Sequence, residues 1–276
     1  MNLESLFMDS QQFDKEYSED LKAIFFKSKG KQLIGTMYLA KGKGPHPTVN
    51  LLHGFPGYEQ NMDLAQILRR IGYNVLTFHY RGSWGCEGEY SFSNVLEDVE
   101  ASIEFLKSEQ AFKLRVDRNN IILIGHSMGG FAALITAAKK EEIKKVVSIA
   151  GFNAGAFAES IYGNSEEVLN YIDEWQENVQ PLKGTSSQAL VKECLDNKKE
   201  FNITNYVEEL SKHSLLLIAG VRDKEAPMRI HHTPLINALR EKNNNCIKEV
   251  VFNSDHAFSN SRTGVAKAIV SWLEEG

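Results

Sequence analysis

Residues 119–140 read NNIILIGHSMGGFAALITAAKK, and their reading decides the fold. Asn120–Ile124 is a continuous apolar run rich in β-branched residues, the pattern of a strand buried on both faces. From Phe131 to Lys140 the small and apolar residues suit a helix. Between them lies Gly125–His126–Ser127–Met128–Gly129–Gly130, a G-x-S-x-G pattern set between a strand and a helix. In that context the serine stands on a sharp, strained turn with no room for neighbouring side chains, which Gly125 and Gly129 provide. Gly130 lets the helix approach the sheet. The turn projects the Ser127 hydroxyl off the sheet edge, beside a helix N-terminus that favours developing negative charge.

Working outward, short β-branched runs alternate with amphipathic stretches. Lys22–Ser28 and Lys31–Ala40 predict two antiparallel strands around the Lys29–Gly30 turn. Strands are also expected at Thr48–Leu52, Asn74–His79, Lys144–Ala150, Ser214–Ala219 and Lys248–Phe252, eight in all with the one before Ser127. Helices are expected from Asn61, over Val95–Leu106 with Asn94 and Glu97 at the cap, over Met228–Arg240, and over Val265–Leu273. This order predicts an α/β fold: a mostly parallel eight-stranded sheet with helices on both faces. Residues 152–208 break the rhythm. Their carboxylates, from Glu159 to Glu208, well outnumber Lys183, Lys192, Lys198 and Lys199, and they carry Phe157, Tyr162, Tyr171, Trp175, Phe201 and Tyr206. Long insertions in compact domains tend to be functional, so a helical cap between the sixth and seventh strands is the expectation, over an ornament on the flank. The core would then comprise 1–151 and 209–276, with 1–20 as a lead segment.

A serine hydroxyl is a weak nucleophile until a base takes its proton and an acid orients that base. His256, in Asn253–Ser254–Asp255–His256–Ala257–Phe258, follows the last strand and returns to the sheet edge that carries Ser127. His46 and His213 precede strands and belong to the opposite end. His79 and His126 read as structural neighbours, and His231 and His232 fall inside an expected helix. Asp223 follows the strand ending at Ala219 and completes the chain order Ser…Asp…His; Glu225 is the runner-up, and Asp255 stands too near His256 in sequence to orient it. For the oxyanion, the N–H of Met128 follows the nucleophile, and His53–Gly54–Phe55–Pro56–Gly57 offers the N–H of Phe55, since Pro56 has none. Trp84 and Trp175 are candidate pocket residues.

These motifs resemble those of α/β-hydrolase-fold serine hydrolases. The Tyr80–Arg81–Gly82–Ser83–Trp84–Gly85 loop is similar to one in bacterial esterases of the cinnamoyl/feruloyl type and in prolyl-oligopeptidase-like hydrolases. His79 departs from the aspartate that many relatives carry before Tyr–Arg–Gly. The resemblance covers the chain from about Lys22 onward, apart from the insertion. It implies a cap between strands six and seven and esterase-like activity without a metal or organic cofactor.

Composition limits the alternatives. With 31 Lys and Arg against 36 Asp and Glu, and no basic cluster, a nucleic-acid partner is not expected. Apolar stretches such as Leu215–Ala219 fall far short of the roughly 20 residues of a membrane span. Cys86, Cys194 and Cys246 are too few and too scattered for a disulfide framework or zinc site, and no secretory signal is visible, so a cytoplasmic protein is expected. The expected partner is a small-molecule ester; a homodimer stays open. A peptidase or amidase uses the same triad and is the second reading, and a non-catalytic ligand-binding protein the third. A dehalogenase would place aspartate at position 127.

Overall fold

The computed structural model describes Met8, residues 14–242 and residues 246–275. Most of the expected lead segment therefore lies outside the described residues. Eight strands form one sheet: β1 (Asp20–Ser28), β2 (Lys31–Leu39), β3 (His46–Leu52), β4 (Asn74–Phe78), β5 (Val116–His126), β6 (Lys145–Ile149), β7 (Ser214–Gly220) and β8 (Ile247–Phe252). Their spatial order is β1-β2-β4-β3-β5-β6-β7-β8. β1 pairs antiparallel with β2, and β2 with β4. From β4 to β8 every pairing is parallel.

Burial follows from this order. The edge strand β1 alternates, with Leu21 and Phe25 exposed and Ile24 and Phe26 buried. The inner strand β4 is buried at all of its positions, because helices cover both faces of a parallel sheet. On β5, Ile121 and Leu123 enter one core cluster while Ile122 and Ile124 enter the other, as the two-residue side-chain period requires. One face is covered by α1 (Met62–Arg70) and α11 (Arg262–Glu274) through Leu64, Leu68, Ile269 and Trp272. The other face packs against α2 (Phe92–Lys107) and α4 (Met128–Lys139) through Val95, Val99, Phe131 and Ile135.

Between β6 and β7 run α5 (Ala154–Ile161), α6 (Ser165–Trp175), α7 (Ser187–Asp196), a 3-10 turn (Ile203–Tyr206) and α8 (Val207–Leu210). This segment is tied to the rest of the molecule at several places. The Glu193 carboxylate accepts from Phe92 N–H (2.9 Å) and Ser93 N–H (2.8 Å), capping the start of α2. Lys183 N–H donates to Gly82 O at 2.7 Å, and Ser83 pairs with Leu182.

Several expected boundaries move. The cap of α2 is Ser91, whose hydroxyl accepts from Asn94 N–H at 3.0 Å, so Asn94 and Glu97 lie inside the first turns. α3 (Glu109–Lys113) was not anticipated; Ser108 caps it after closing α2. α4 begins at Met128, directly after the serine, because the glycines that looked like loop form its first turn. The expected helix over Met228–Arg240 is two, α9 (Met228–His231) and α10 (Thr233–Glu241). Pro234 falls in the first turn of α10, where its missing N–H costs nothing.

Candidate active site

The carboxyl ends of β3, β5, β7 and β8 converge on Ser127. The serine has φ 56° and ψ −123°, a left-handed conformation rarely adopted by a residue with a side chain, and such strain costs on the order of 1–3 kcal/mol. It is over-determined by its bonds. Ser127 N–H donates to Ile149 O (2.9 Å), while its carbonyl accepts from Gly130 N–H (2.9 Å), Phe131 N–H (3.1 Å) and Phe152 N–H (3.0 Å). The close fit shows in what added atoms would meet. A Cβ on Gly129 would lie 2.7 Å from His53 O and closer still to Leu52 O, and one on Gly54 would lie 2.8 Å from Ser127 Cβ. The loop after β3 is thus pressed directly against the elbow.

His256 stands in the loop after β8. Its Nδ1 meets Asp223 Oδ2 at 2.8 Å. The other Asp223 oxygen accepts from Glu225 N–H (3.0 Å) and Ala226 N–H (2.8 Å), so the acid is fixed by its own loop after β7. A carboxylate facing Nδ1 assigns the proton to that nitrogen and leaves Nε2 as a free acceptor. His126 Nε2 meets the His256 carbonyl at 2.9 Å, which ties the histidine loop back to the elbow.

Electrostatics separate His256 from five other imidazoles, among them His126, the other histidine of the cavity wall. Burial holds His53 and His126 down to about 3 and His231 to about 4, and it lowers His79 and His213 as well. Those rings stay neutral at neutral pH. Burial also opposes charge on His256, but the hydrogen bond and charge of Asp223, with Glu225 and Asp255, outweigh it and raise the ring above its ordinary 6.5. For Asp223, burial is likewise outweighed by its bond to His256, and the carboxyl is lowered. His256 is therefore the ring arranged to take up a proton.

Ser127 and His256 share the wall of one cavity of about 420 Å³. The loop after β3 contributes Gly54 to Glu59, the insertion contributes Phe152, Tyr171, Glu174, Trp175 and Asn178, and Phe92, Met128, Lys224 and Glu225 complete most of the rest. Phe55 and Met128 both line it, next to the serine. The N–H of Met128 belongs to the first turn of α4, where helical amides have no partner within the helix. Trp175 is the hub of the aromatic wall, with ring centroids 5.4 Å from Phe55, 6.1 Å from Phe92 and 6.1 Å from Phe152.

Trp84 is placed elsewhere. Its backbone turns at φ 47° in the glycine-rich loop, and its indole N–H donates to Pro56 O at 2.7 Å. It braces the loop after β3 from outside and is absent from the cavity lining. Tyr58 is 62% exposed and packs edge-on against Trp84. Glu225 approaches the other nitrogen of His256, with Oε2 3.7 Å from Nε2, and Asp255 accepts from Ser259 N–H. Arg81 anchors the glycine-rich loop: Nε reaches Asp98 Oδ1 at 2.6 Å and its N–H reaches Asp98 Oδ2 at 2.7 Å.

Sequence reasoning missed His231. It is buried, accepts from Asn153 N–H at 2.9 Å, and stacks on Phe152 at 4.7 Å. Only its place on α9, one turn beyond the Asp223 loop, could have marked it. Among the described residues no group of three or more His, Cys, Asp or Glu side chains could hold a metal ion, and no helix is long and apolar enough to cross a membrane.

The sheet order, the serine elbow and the helices on both faces define an α/β hydrolase. Residues 60–275 match the prolyl oligopeptidase family, and the chain belongs to it. An uncharacterized 31.7 kDa protein of Escherichia coli is 25% identical over 161 residues, 56% of this chain and 55% of that one. The chain spans about half the length, or less, of the curated relatives it matches. Est1E of Butyrivibrio proteoclasticus, solved with ferulic acid bound, superposes with TM-score 0.72 at 18% identity, covering 92% of this chain and 98% of that one. The acylaminoacyl peptidase of Pyrococcus horikoshii gives TM-score 0.69 at 19% identity, over 94% of this chain and 42% of that one.

Proposed function

We propose that this chain is a serine hydrolase that cleaves carboxylic esters of small to medium acyl groups through an acyl-enzyme. The observation that carries the reading is a strained serine sharing one cavity with a histidine whose far nitrogen meets a buried aspartate at 2.8 Å. Ser127 Oγ attacks the acyl carbon while His256 Nε2 takes its proton, and Asp223 orients the ring and stabilises its charge. The N–H groups of Phe55 and Met128 receive the oxyanion; losing one such donor typically costs about 10²–10³ in turnover. His256 then protonates the departing alkoxide, and water, activated by the same ring, releases the acid.

Residues 152–208 act in this reading as a cap. Its support is the cavity wall, where Tyr171, Glu174 and Trp175 of α6 line the same cavity as Ser127. The aromatic wall suits an apolar or aromatic acyl group, in keeping with the ferulic acid bound by Est1E. We place the protein in the cytoplasm, supported by a cysteine content too low and too scattered for a disulfide framework. Family membership favours one further reading, hydrolysis of an aminoacyl amide by the same groups.

The test is hydrolysis of p-nitrophenyl esters from acetate to decanoate, and of methyl ferulate, by the wild type and Ser127→Ala. Ester turnover abolished in the variant is the expected result. Folded wild type no better than Ser127→Ala on every ester would overturn the reading, and aminoacyl p-nitroanilides would then decide for the amidase.

A further inference from the structure

Glu225 stands where a leaving group must pass. In acyl transfer, His256 Nε2 both takes the serine proton and delivers it to the departing atom, so a group beside Nε2 borders the leaving group and not the acyl chain. Glu225 Oε2 lies 3.7 Å from that nitrogen. Its backbone is held in place because its N–H donates to Asp223 Oδ1 at 3.0 Å, so the loop that fixes the acid also fixes this residue. Its side chain, in contrast, is 70% exposed, and among the described residues His256 is the only basic group within ion-pair distance of it. It lines both the main cavity and a shallower depression formed with Val221, Arg222 and Lys224. In that depression the Arg222 guanidinium is turned to Asn253, at 3.1 Å and 3.2 Å.

A carboxylate whose one ion-pair partner among the described residues is His256 itself, held within a few ångströms of the proton-transfer atom, sets the sign of charge a leaving group meets there. We propose that Glu225 is a specificity-determining residue for the leaving group, and that this site prefers esters whose alcohol carries a positive charge a few bonds from the ester oxygen. The inference rests on the ester hydrolase reading above. The charges elsewhere on the cavity wall point the same way: Glu59 and Glu174 are acidic, and Lys224 alone opposes them. The chemistry is unaltered. The Ser127 Oγ–C bond forms, the ester C–O or C–S bond breaks, the serine proton passes through Nε2 to the departing atom, and the cation leaves with its charge unchanged.

Three thioesters of one acyl group test the proposal on the full chain, with thiol release as the readout. They are butyrylthiocholine, its neutral carbon isostere S-(3,3-dimethylbutyl) thiobutyrate, and the anionic S-(2-carboxyethyl) thiobutyrate. The expected kcat/KM ratio of cationic to neutral ester is about fivefold at low salt, the scale of a mostly exposed ion pair. The anionic ester should be the poorest of the three. In 0.5 M NaCl the ratio should fall toward one, since screening acts within a few ångströms at that strength. Glu225→Gln should abolish the ratio and Lys224→Gln should increase it. A wild-type ratio of one or less, or the same ratio in Glu225→Gln, overturns the proposal while leaving the hydrolase reading intact. Failure to turn over any of the three, with p-nitrophenyl esters also inert, overturns both.

Discussion

Replacing Gly129 by alanine isolates the elbow's geometry from its chemistry, because no reacting side chain changes. The added Cβ would lie 2.7 Å from His53 O and closer still to Leu52 O, where 3.4 Å is ordinary contact. Both obstacles are backbone at the end of β3, so no rotamer can relieve them. The helix start must part from the strand end by about 0.7 Å or more, the difference between those two distances. The parting falls between the two proposed oxyanion donors: Met128 precedes Gly129, and Phe55 lies two residues past His53. A misplacement of about 1 Å in a reacting geometry typically costs about 10² in rate. Turnover of p-nitrophenyl butyrate by Gly129→Ala should therefore fall about 10²-fold, with KM changing less. Overpacking of this kind costs about 1–3 kcal/mol, a fall in melting temperature of roughly 3–10 °C. Gly72→Ala is the matched control. Its Cβ meets open space and its φ of 98° costs about 1–2 kcal/mol, far from the site. Wild-type kcat in Gly129→Ala, alongside a stability loss like that of Gly72→Ala, would refute the oxyanion assignment.

In the proposed mechanism the raised His256 should set the acid limb of the rate profile. The base works only when neutral, so kcat/KM should fall as pH drops through a midpoint above 6.5. Asp223→Asn should lower that midpoint and reduce kcat by about 10⁴, as loss of a triad acid does; an unmoved midpoint would argue against the pair. Arg81→Met leaves the wholly buried Asp98 without its cation. It should cost about 3–5 kcal/mol in denaturant unfolding, whereas the double variant Arg81→Met/Asp98→Leu should recover most of that. His231→Phe keeps the stack on Phe152 but strands the buried Asn153 N–H, a loss of about 1–3 kcal/mol. That variant should also change kcat and acyl-chain preference together, whereas His231→Gln, which restores an acceptor, should recover both.

What could be read from the sequence was whatever has a short physical period or a fixed order. The inner parallel strands were legible because they are apolar over most of their length, the first two from the turn at Lys29–Gly30 between them, and the placing of Ser127, Asp223 and His256 because each follows a strand whose carboxyl end faces one edge. Phe55 and Met128 line the cavity because both stand beside that edge. Features set by long-range packing were not legible. Trp84 and Trp175 look alike as aromatic residues in a chain, yet the turn at Trp84 sends its ring behind the loop after β3, while α6 carries Trp175 into the cavity. The glycines after Ser127 looked like a loop because glycine is a poor helix former, but close approach to β3 outweighs that preference. The division at His232 was hidden because Pro234 is tolerated in a helix's first turn and so marks a start as readily as a stop.

The insertion and the loop that holds Asp223 meet at His231, which bears on how substrate shape would act on turnover in the proposed reaction. Asn153 is the second residue of the insertion. Its N–H binds His231, and its side chain reaches Ala156 N–H, Ile203 N–H and Asn202. Phe152, the preceding residue, lies against the His231 ring and forms part of the cavity wall. His231 in turn sits on α9, directly after the loop whose amides hold Asp223. One buried imidazole, kept neutral by burial with its pKa down to about 4, thus joins the wall that an acyl group would press on to the loop that positions the acid. A neutral ring suits this place because a protonated Nδ1 would lose its role as acceptor and leave Asn153 N–H without a partner. An acyl group that displaces Phe152 would therefore strain its stack on His231, the residue that ends the helix directly after the loop holding Asp223. In the proposed ester hydrolysis, selection of the acyl chain should therefore show in kcat as well as in KM.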